Sequence, residues 1–331
     1  MLYLHGVGHV HPSAEISNAF LEELDIGVDP AWIIERTGIR SRRTVLDLDY
    51  IRATRNSDTR AAHEACELSN ADLMALAGRM ALERAGVTAD RIGMVIGGGS
   101  VPDHVTPAEA CQAAERLEIA APCLDLRSAC TSFGASLYLL SLMDAERMPE
   151  FVLLVMAETV TRSVDYNDRR SSVLWGDGAV AAVVSLRVPA PVIIDQCSLV
   201  SDPRGHAKVV VPWAGYFAQE GATVQTFAIK KTSRVLHEIQ AQCLDPARLH
   251  FIGHQANGLM LESVCRRCDI PPERHHANVY DFGNTATAGS PAVLSAEWER
   301  FGAGDQVALV GVGAGLTWAG ALLTFGERAV A

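Results

Sequence analysis

The sequence predicts an α/β protein, a layered sandwich assembled from two similar halves with helices shared between two sheets. Short apolar runs of strand length alternate with longer helical patterns, and several of those runs are apolar throughout, as in strands buried on both faces. Three pieces of the first half also recur in the second at nearly constant offset, the signature of an internal duplication.

Along the chain, Ala71 to Ala85 carries a helical pattern and Ile92 to Ile96 a strand. A helix-compatible apolar run extends from Phe133 to Met143, followed by a fully apolar strand from Phe151 to Val155 and another from Val180 to Leu186. The second half repeats the order with a helix over Phe227 to Gln242, a strand over Leu249 to Ile252 and an apolar strand over Val307 to Val310. Asp90-Arg-Ile-Gly-Met-Val-Ile-Gly97 is echoed by Ala247-Arg-Leu-His-Phe-Ile-Gly253. Asp125-Leu-Arg-Ser-Ala-Cys130 is echoed by Asp281-Phe-Gly-Asn-Thr-Ala286, and Phe151 to Val155 by Val307 to Gly311, both at an offset of 156 positions. Proline punctuates the chain at Arg187-Val-Pro-Ala-Pro191, so the predicted halves are 1–187 and 188–331.

The 331 residues are 49% hydrophobic and 20% charged, enough for a large core, and a formal net charge of −11 argues against wholesale nucleic-acid binding. The opening Met-Leu-Tyr-Leu-His-Gly-Val-Gly-His lacks a cationic start, and nowhere do about 18 uncharged apolar residues follow one another. Neither secretion nor a membrane span is expected. The eight cysteines show no short-period framework, as expected for reduced thiols in a cytoplasm. Cys265-Arg-Arg-Cys268 has no second pair at zinc spacing and reads as structural, and His275-His276 lies in a Pro-rich polar turn without metal partners, so no metal site is expected. Gly97-Gly-Gly99 and Gly311-Val-Gly-Ala-Gly315 lack the full dinucleotide spacing and the acidic residue about twenty positions on, which argues against a nicotinamide site.

Three turns carry candidate chemistry. Cys130 stands at the start of the Phe133–Met143 run, where a helix dipole and free N–H groups favour a thiolate, so it is a candidate acyl acceptor. Taken alone it is equally one more buried small residue. Its company is a histidine in Gly253-His-Gln-Ala-Asn257 and an amide in Phe282-Gly-Asn-Thr-Ala286, which supply a base and a donor for nucleophilic catalysis. Asn284 lies two positions before the residue that matches Cys130 in the repeat, so pseudo-twofold packing brings the two turns face to face.

Eight stretches in order resemble the 3-oxoacyl-acyl-carrier-protein synthase III family of the thiolase-like fold, over nearly the whole chain. They are Trp32 to Arg40, Pro107 to Cys111, the Cys130 turn, Asp168-Arg169, Leu174 to Ala179, His254 to Asn257, Gly283 to Thr285 and Gly313 to Trp318. The resemblance implies a five-layer αβαβα sandwich and a decarboxylative Claisen condensation. Cys130 carries the acyl group, with backbone N–H groups of Cys130 and of the loop Gly313, Ala314 and Gly315 as the oxyanion hole. His254 and Asn284 donate to the enolate of a malonyl-type thioester. It further implies that Trp32 and Arg169 flank the adenine of coenzyme A and that Arg36 and Asn257 line a pantetheine tunnel. Phe133 and Thr106 would belong to the acyl pocket, the latter through a partner subunit. The partners implied are a second copy and an acyl carrier protein, the latter received on Lys230, Lys231, Arg266 and Arg267, with coenzyme A or carrier-protein thioesters as substrates and no resident cofactor. Asn257 as a helix cap, Trp32 as a core aromatic and the cations as a solvated helix face are the plain structural alternatives.

Some positions depart from that pattern. Gly253 stands where Pro is common, Leu259 where a basic residue is common, Ala314 replaces a glycine, and Thr106 a bulky aromatic. Residues 46 to 68 form an extension that resembles the subset joining two preformed acyl chains into pyrones and dialkylresorcinols. A specialised condensing enzyme is therefore expected. The alternatives are the housekeeping fatty-acid initiator, an acyltransferase that does not decarboxylate, and a non-catalytic subunit, which would usually have lost Cys130.

Overall fold

Nine strands form one continuous sheet in the computed structural model, which describes residues 1–213 and 215–327. In chain order they are Leu2–Val10 (β1), Ile92–Gly98 (β2), Cys123–Asp125 (β3), Phe151–Glu158 (β4), Gly178–Ser185 (β5), Val192–Ser201 (β6), Leu249–Ile252 (β7), Gln306–Gly313 (β8) and Thr317–Phe325 (β9). The order across the sheet is β7-β8-β9-β6-β1-β5-β4-β2-β3. Each half repeats one ladder. In the first, β1–β5 and β5–β4 are antiparallel and β4–β2 parallel; in the second, β6–β9 and β9–β8 are antiparallel and β8–β7 parallel. The counterpart of β3 shrinks to a single parallel bridge between Phe251 and His275. Where the sequence predicts two sheets, the structure joins them at one edge, β1 pairing with β6 over Leu2 to Leu4 alone.

Six helices complete the layers: Asn70–Ala85 (α1), Glu109–Arg116 (α2), Ser132–Ser141 (α3), Gly221–Gln240 (α4), Gly258–Arg267 (α5) and Ala286–Ala296 (α6). α1 packs on β1, β4, β5 and α2, whereas α4 packs on β8, β9 and α5, so these pairs form the outer layers. α3 touches β6 and β9 of the second half and β4 and β2 of the first, while α6 touches β1, β4 and β5 on one side and β7 and β8 on the other. These two helices are the middle layer that both half-sheets share.

Local sequence explains each placement. α1 starts with a capping box, Ser69 accepting from Asp72 N–H and Asp72 from Ser69 N–H, and stops at Gly86 in the left-handed region. α6 is buried from Ala286 to Ser295, and its Ala, Gly and Ser residues keep it slim enough to lie between two sheets. β4 and β5 are buried at every residue, as their apolar runs predict. α4 begins six residues before the predicted Phe227, because Gly221 and the threonines that follow weaken the local signal. Leu154 is fully buried in the cluster between the halves, and Leu154→Ala is expected to cost about 2–5 kcal/mol, read from a shifted urea midpoint at constant slope.

His276 does not lie in a polar turn as expected. It is buried, its Nε2 is 2.9 Å from His250 Nδ1, and its Nδ1 is 3.4 Å from Glu297. Cys265 and Cys268 are buried free thiols on and just after α5. No described helix is long and apolar enough to cross a membrane.

Candidate active site

Cys130 sits in a one-turn 3-10 segment, Ala129–Thr131, that leads into α3. Short polar side chains tie the turn down: Ser128 N–H donates to Ser132 Oγ (2.9 Å), Ser132 Oγ to Ala129 C=O (2.7 Å) and Thr131 Oγ1 to Ser128 C=O (2.7 Å). The other half joins in, since Phe133 N–H donates to Thr287 Oγ1 of α6 (3.0 Å), and Thr131 Oγ1 lies 2.8 Å from Thr317 Oγ1 at the start of β9. Ala129, directly before the cysteine, has φ 47, and Ala286, two residues after Asn284, has φ 44. Each is a conformation that a residue with a Cβ adopts at a cost, so both turns hold local strain, one position apart in the register of the repeat.

The thiol environment corrects the expectation of a helix-stabilised thiolate. Burial pushes the Cys130 thiol up to about 12 and the Glu158 carboxyl adds to the shift, against an opposing pull from the backbone N–H groups of Cys130 and Ala314. Those two N–H groups point at the sulfur, and Ala314 is the loop residue whose amide reaches it. Ala314 fits there without a left-handed backbone, since the positive φ of the loop, 129°, falls on Gly315. Gly313 is confined more tightly, because a Cβ on it would stand 3.1 Å from Cys130 N and 3.2 Å from Cys130 Cβ. A thiol raised this far stays protonated at neutral pH. Iodoacetamide labelling of the Cys130 peptide is expected to rise about tenfold per pH unit from 7 to 10 without levelling; a plateau near pH 8 would contradict it.

His254 follows β7 and is buried, and burial alone pushes its imidazole down to about 4, so the ring is neutral at physiological pH. Its Nδ1 has no hydrogen-bond partner among the described residues. The turn is set by Gln255, whose amide donates to Gly253 C=O (2.6 Å) and whose Oε1 accepts from Asn278 N–H (3.0 Å) and Val279 N–H (3.2 Å). Asn284 is buried with its backbone paired to Leu174 and Gly176. Its Oδ1 accepts from Ala286 N–H (2.9 Å), which leaves the NH2 as a free donor and fixes which end of the amide it is.

Cys130, His254, Asn284 and Ala314 line one cavity of about 910 Å³ together with Asn257 and Gly313. Cys130 thus meets His254 and Asn284 of the other half on a shared wall. Asn257 also caps α5 through Met260 N–H (3.1 Å), and its amide donates to Arg36 C=O (3.1 Å). Arg36 and Arg169 do not line the cavity. Their guanidinium carbons lie 4.4 and 5.3 Å from the centre of the Trp32 ring, and Arg169 donates to Gly27 C=O (3.0 Å). Phe133 is buried beside a smaller cleft of about 330 Å³ that also touches Cys130. Thr106 is exposed and lines no cavity at Cys130 within the chain. Lys230, Arg266 and Arg267 are exposed on the neighbouring helices α4 and α5, whereas Lys231 lies 3.9 Å from the centre of the Trp318 ring.

Sequence reasoning missed Glu158, at the end of β4. It is wholly buried, accepts from Ser100 N–H (3.0 Å), Ser100 Oγ (3.0 Å) and Thr287 N–H (3.3 Å), and burial pushes its carboxyl up to about 7. It also missed Trp175 and Phe217, whose rings meet edge-on at 4.5 Å beside the nucleophile. The acidic residue inside an apolar run was the available signal for Glu158; Phe217 sits in an irregular segment that gave none.

Residues 124–202 match the family signature of 3-oxoacyl-[acyl-carrier-protein (ACP)] synthase III and residues 241–325 that of its C-terminal region. The beta-ketoacyl-[acyl-carrier-protein] synthase III of Alkalilimnicola ehrlichii is 33% identical over 97% of this chain and 98% of its own length. The chain belongs to the 3-oxoacyl-[acyl-carrier-protein] synthase III family. A synthase III of Streptomyces coelicolor is 32% identical over 97% of this chain and 92% of its own. The solved 3-oxoacyl-(acyl carrier protein) synthase III of Pseudomonas aeruginosa superimposes with a TM-score of 0.84 at 29% identity, covering 99% of both chains. The priming beta-ketosynthase of the R1128 polyketide biosynthetic pathway gives 0.84 at 27% identity, covering 99% of this chain and 97% of its own. As a synthase III family member, the chain has the thiolase-like fold and is a ketosynthase, an acyl-transferring enzyme that makes carbon–carbon bonds.

Proposed function

We propose that Cys130 takes an acyl group from a coenzyme A or carrier-protein thioester and passes it to the carbanion of a malonyl-type or β-ketoacyl carrier-protein thioester. The observation that carries this is the convergence of Cys130, His254 and the free amide NH2 of Asn284 on one cavity. In the first step the sulfur attacks the thioester carbonyl, the donor C–S bond breaks, and the thiol proton leaves with the donor as a free thiol. The tetrahedral oxyanion lies against the N–H groups of Cys130 and Ala314. With a malonyl unit, loss of carbon dioxide leaves its bonding pair as an enolate. His254, neutral at working pH, and Asn284 donate to that oxygen without protonating the carbon. The carbanion attacks the acyl carbonyl, the S–C bond breaks, Cys130 regains a proton, and a β-ketoacyl thioester departs.

In the same reading, Asn257 and Arg36 guide the pantetheine arm, and Trp32 with Arg169 receives the adenine once their stack opens. Lys230, Lys231, Arg266 and Arg267 attract an acidic carrier protein, and the enzyme works as a homodimer. A specialised pathway is favoured over fatty-acid initiation because residues of the 46 to 68 extension line a broad space that shares Ser100, Arg127 and Val211 with a chamber at Cys130. Two assays test the proposal. Enzyme supplied with an acyl thioester and carboxyl-labelled malonyl carrier protein is expected to release one labelled carbon dioxide per β-ketoacyl product, and a product without that release would point to a plain acyltransferase. Rescue of a strain lacking its initiator to normal growth would overturn the specialised assignment.

A further inference from the structure

Besides the cavity shared with His254 and the cleft beside Phe133, Cys130 lines a further chamber. This chamber, about 610 Å³, is lined on the apolar side by Val160, Trp175, Val209 and Phe217 and also by Ser100, Arg127 and Val211. Those last three residues also border an open space of about 1,840 Å³, so the apolar neck beside the sulfur adjoins a more polar hall. Thr59, Arg60, His63, Cys66 and Glu67 of the extension and its edge form part of the hall.

The charges of the hall are unevenly matched. Arg162 is paired with Asp103, and Arg116 with Asp72 at 2.7 Å. Arg127, at the throat, makes its one ion pair among the described residues with Asp125 at 3.6 Å. Both oxygens of that carboxylate already accept N–H groups, from Glu109 (2.8 Å) and Ala110 (3.0 Å), and the Arg127 charge also acts on the buried Glu109 carboxyl. Arg60 has no ion pair among the described residues, and Glu67 is the one lining carboxylate that also has none. A plain alkyl chain leaving the neck would end among guanidinium groups and water, forfeiting apolar burial. An anionic end would gain charge-assisted, bidentate contacts there.

We propose that the acyl group borne by Cys130 ends in a carboxylate, so that the preferred donor is the monothioester of a dicarboxylic acid, with Arg127 at the throat and Arg60 beyond it holding the distal carboxylate. This rests on Cys130 being the acyl carrier. The transfer is the one already written: the sulfur forms the new thioester bond, the donor thiol leaves with the proton, and the distal carboxylate takes no part. The methylene stem lies against Val160, Trp175 and Phe217.

Competition between acyl donors of equal carbon number tests it: succinyl against butyryl, adipyl against hexanoyl, and suberyl against octanoyl coenzyme A, with the Cys130 adducts read by mass. At least one pair is expected to favour the diacid by roughly tenfold or more, the scale of a hydrogen-bonded ion contact. Arg127→Leu should collapse that ratio, Arg127→Lys should retain part of it, and Arg60→Gln should lower it. If wild-type enzyme takes the monoacid equally or better at every length, the inference is overturned while the acyl-cysteine reading stands. If no donor labels Cys130, the acyl-cysteine reading falls and the inference falls with it.

Discussion

Cys130→Ala is expected to lose the covalent acyl adduct completely and at least about a thousandfold in condensation rate, with the fold intact. Removing a nucleophile that forms a covalent intermediate forces both half-reactions through a single uncatalysed attack, which is why such losses far exceed those of binding residues. The methyl group of alanine fits, because the turn is held by Ser128, Thr131 and Ser132 and not by the thiol. Intact-mass analysis after acyl-thioester incubation, with the thermal midpoint as a control on folding, checks both points. An adduct of undiminished yield on the variant would move the acyl group to another residue.

Asn284→Asp is expected to lower decarboxylation by about a hundred- to a thousandfold, the usual cost of one preorganised donor. The substitution keeps an oxygen to accept from Ala286 N–H, which the asparagine Oδ1 does at 2.9 Å, and so preserves the cap of the turn. It replaces the free NH2 with a second oxygen facing the enolate, turning an attraction into a repulsion. Because that donor serves carbanion formation, the loss belongs to the carbon dioxide release and not to the first acyl transfer. Equal loss of both steps would mean that Asn284 acts through the shape of the site instead.

The repeat made much of the fold legible before any coordinates. Apolar strands such as Phe151–Glu158 are long and uninterrupted, and a strand buried on both faces can be written in few other ways. Less visible was the join between halves, since β1 and β6 pair through backbone groups over three residues and no side-chain pattern encodes that contact. Cys130, His254 and Asn284 were readable because each lies in a short turn of distinctive residues. The strain at Ala129 and Ala286 was not, because alanine gives no sign of a positive φ. The Cys130 thiol shifts opposite to what its local sequence predicts for a related reason. A helix N-terminus can be inferred locally, whereas burial by the β8–β9 loop and the nearness of Glu158 arise only when distant segments meet.

The most direct test is a chase on the acylated Cys130 peptide. Wild-type enzyme is charged with an acyl thioester, freed of excess donor, mixed with malonyl carrier protein, and sampled by quench and mass analysis. The expected result is an acyl mass on Cys130 that decays at the rate at which β-ketoacyl carrier protein and carbon dioxide appear. Product formed while the Cys130 adduct persists, or formed from enzyme never acylated there, would contradict a condensation that runs through this cysteine.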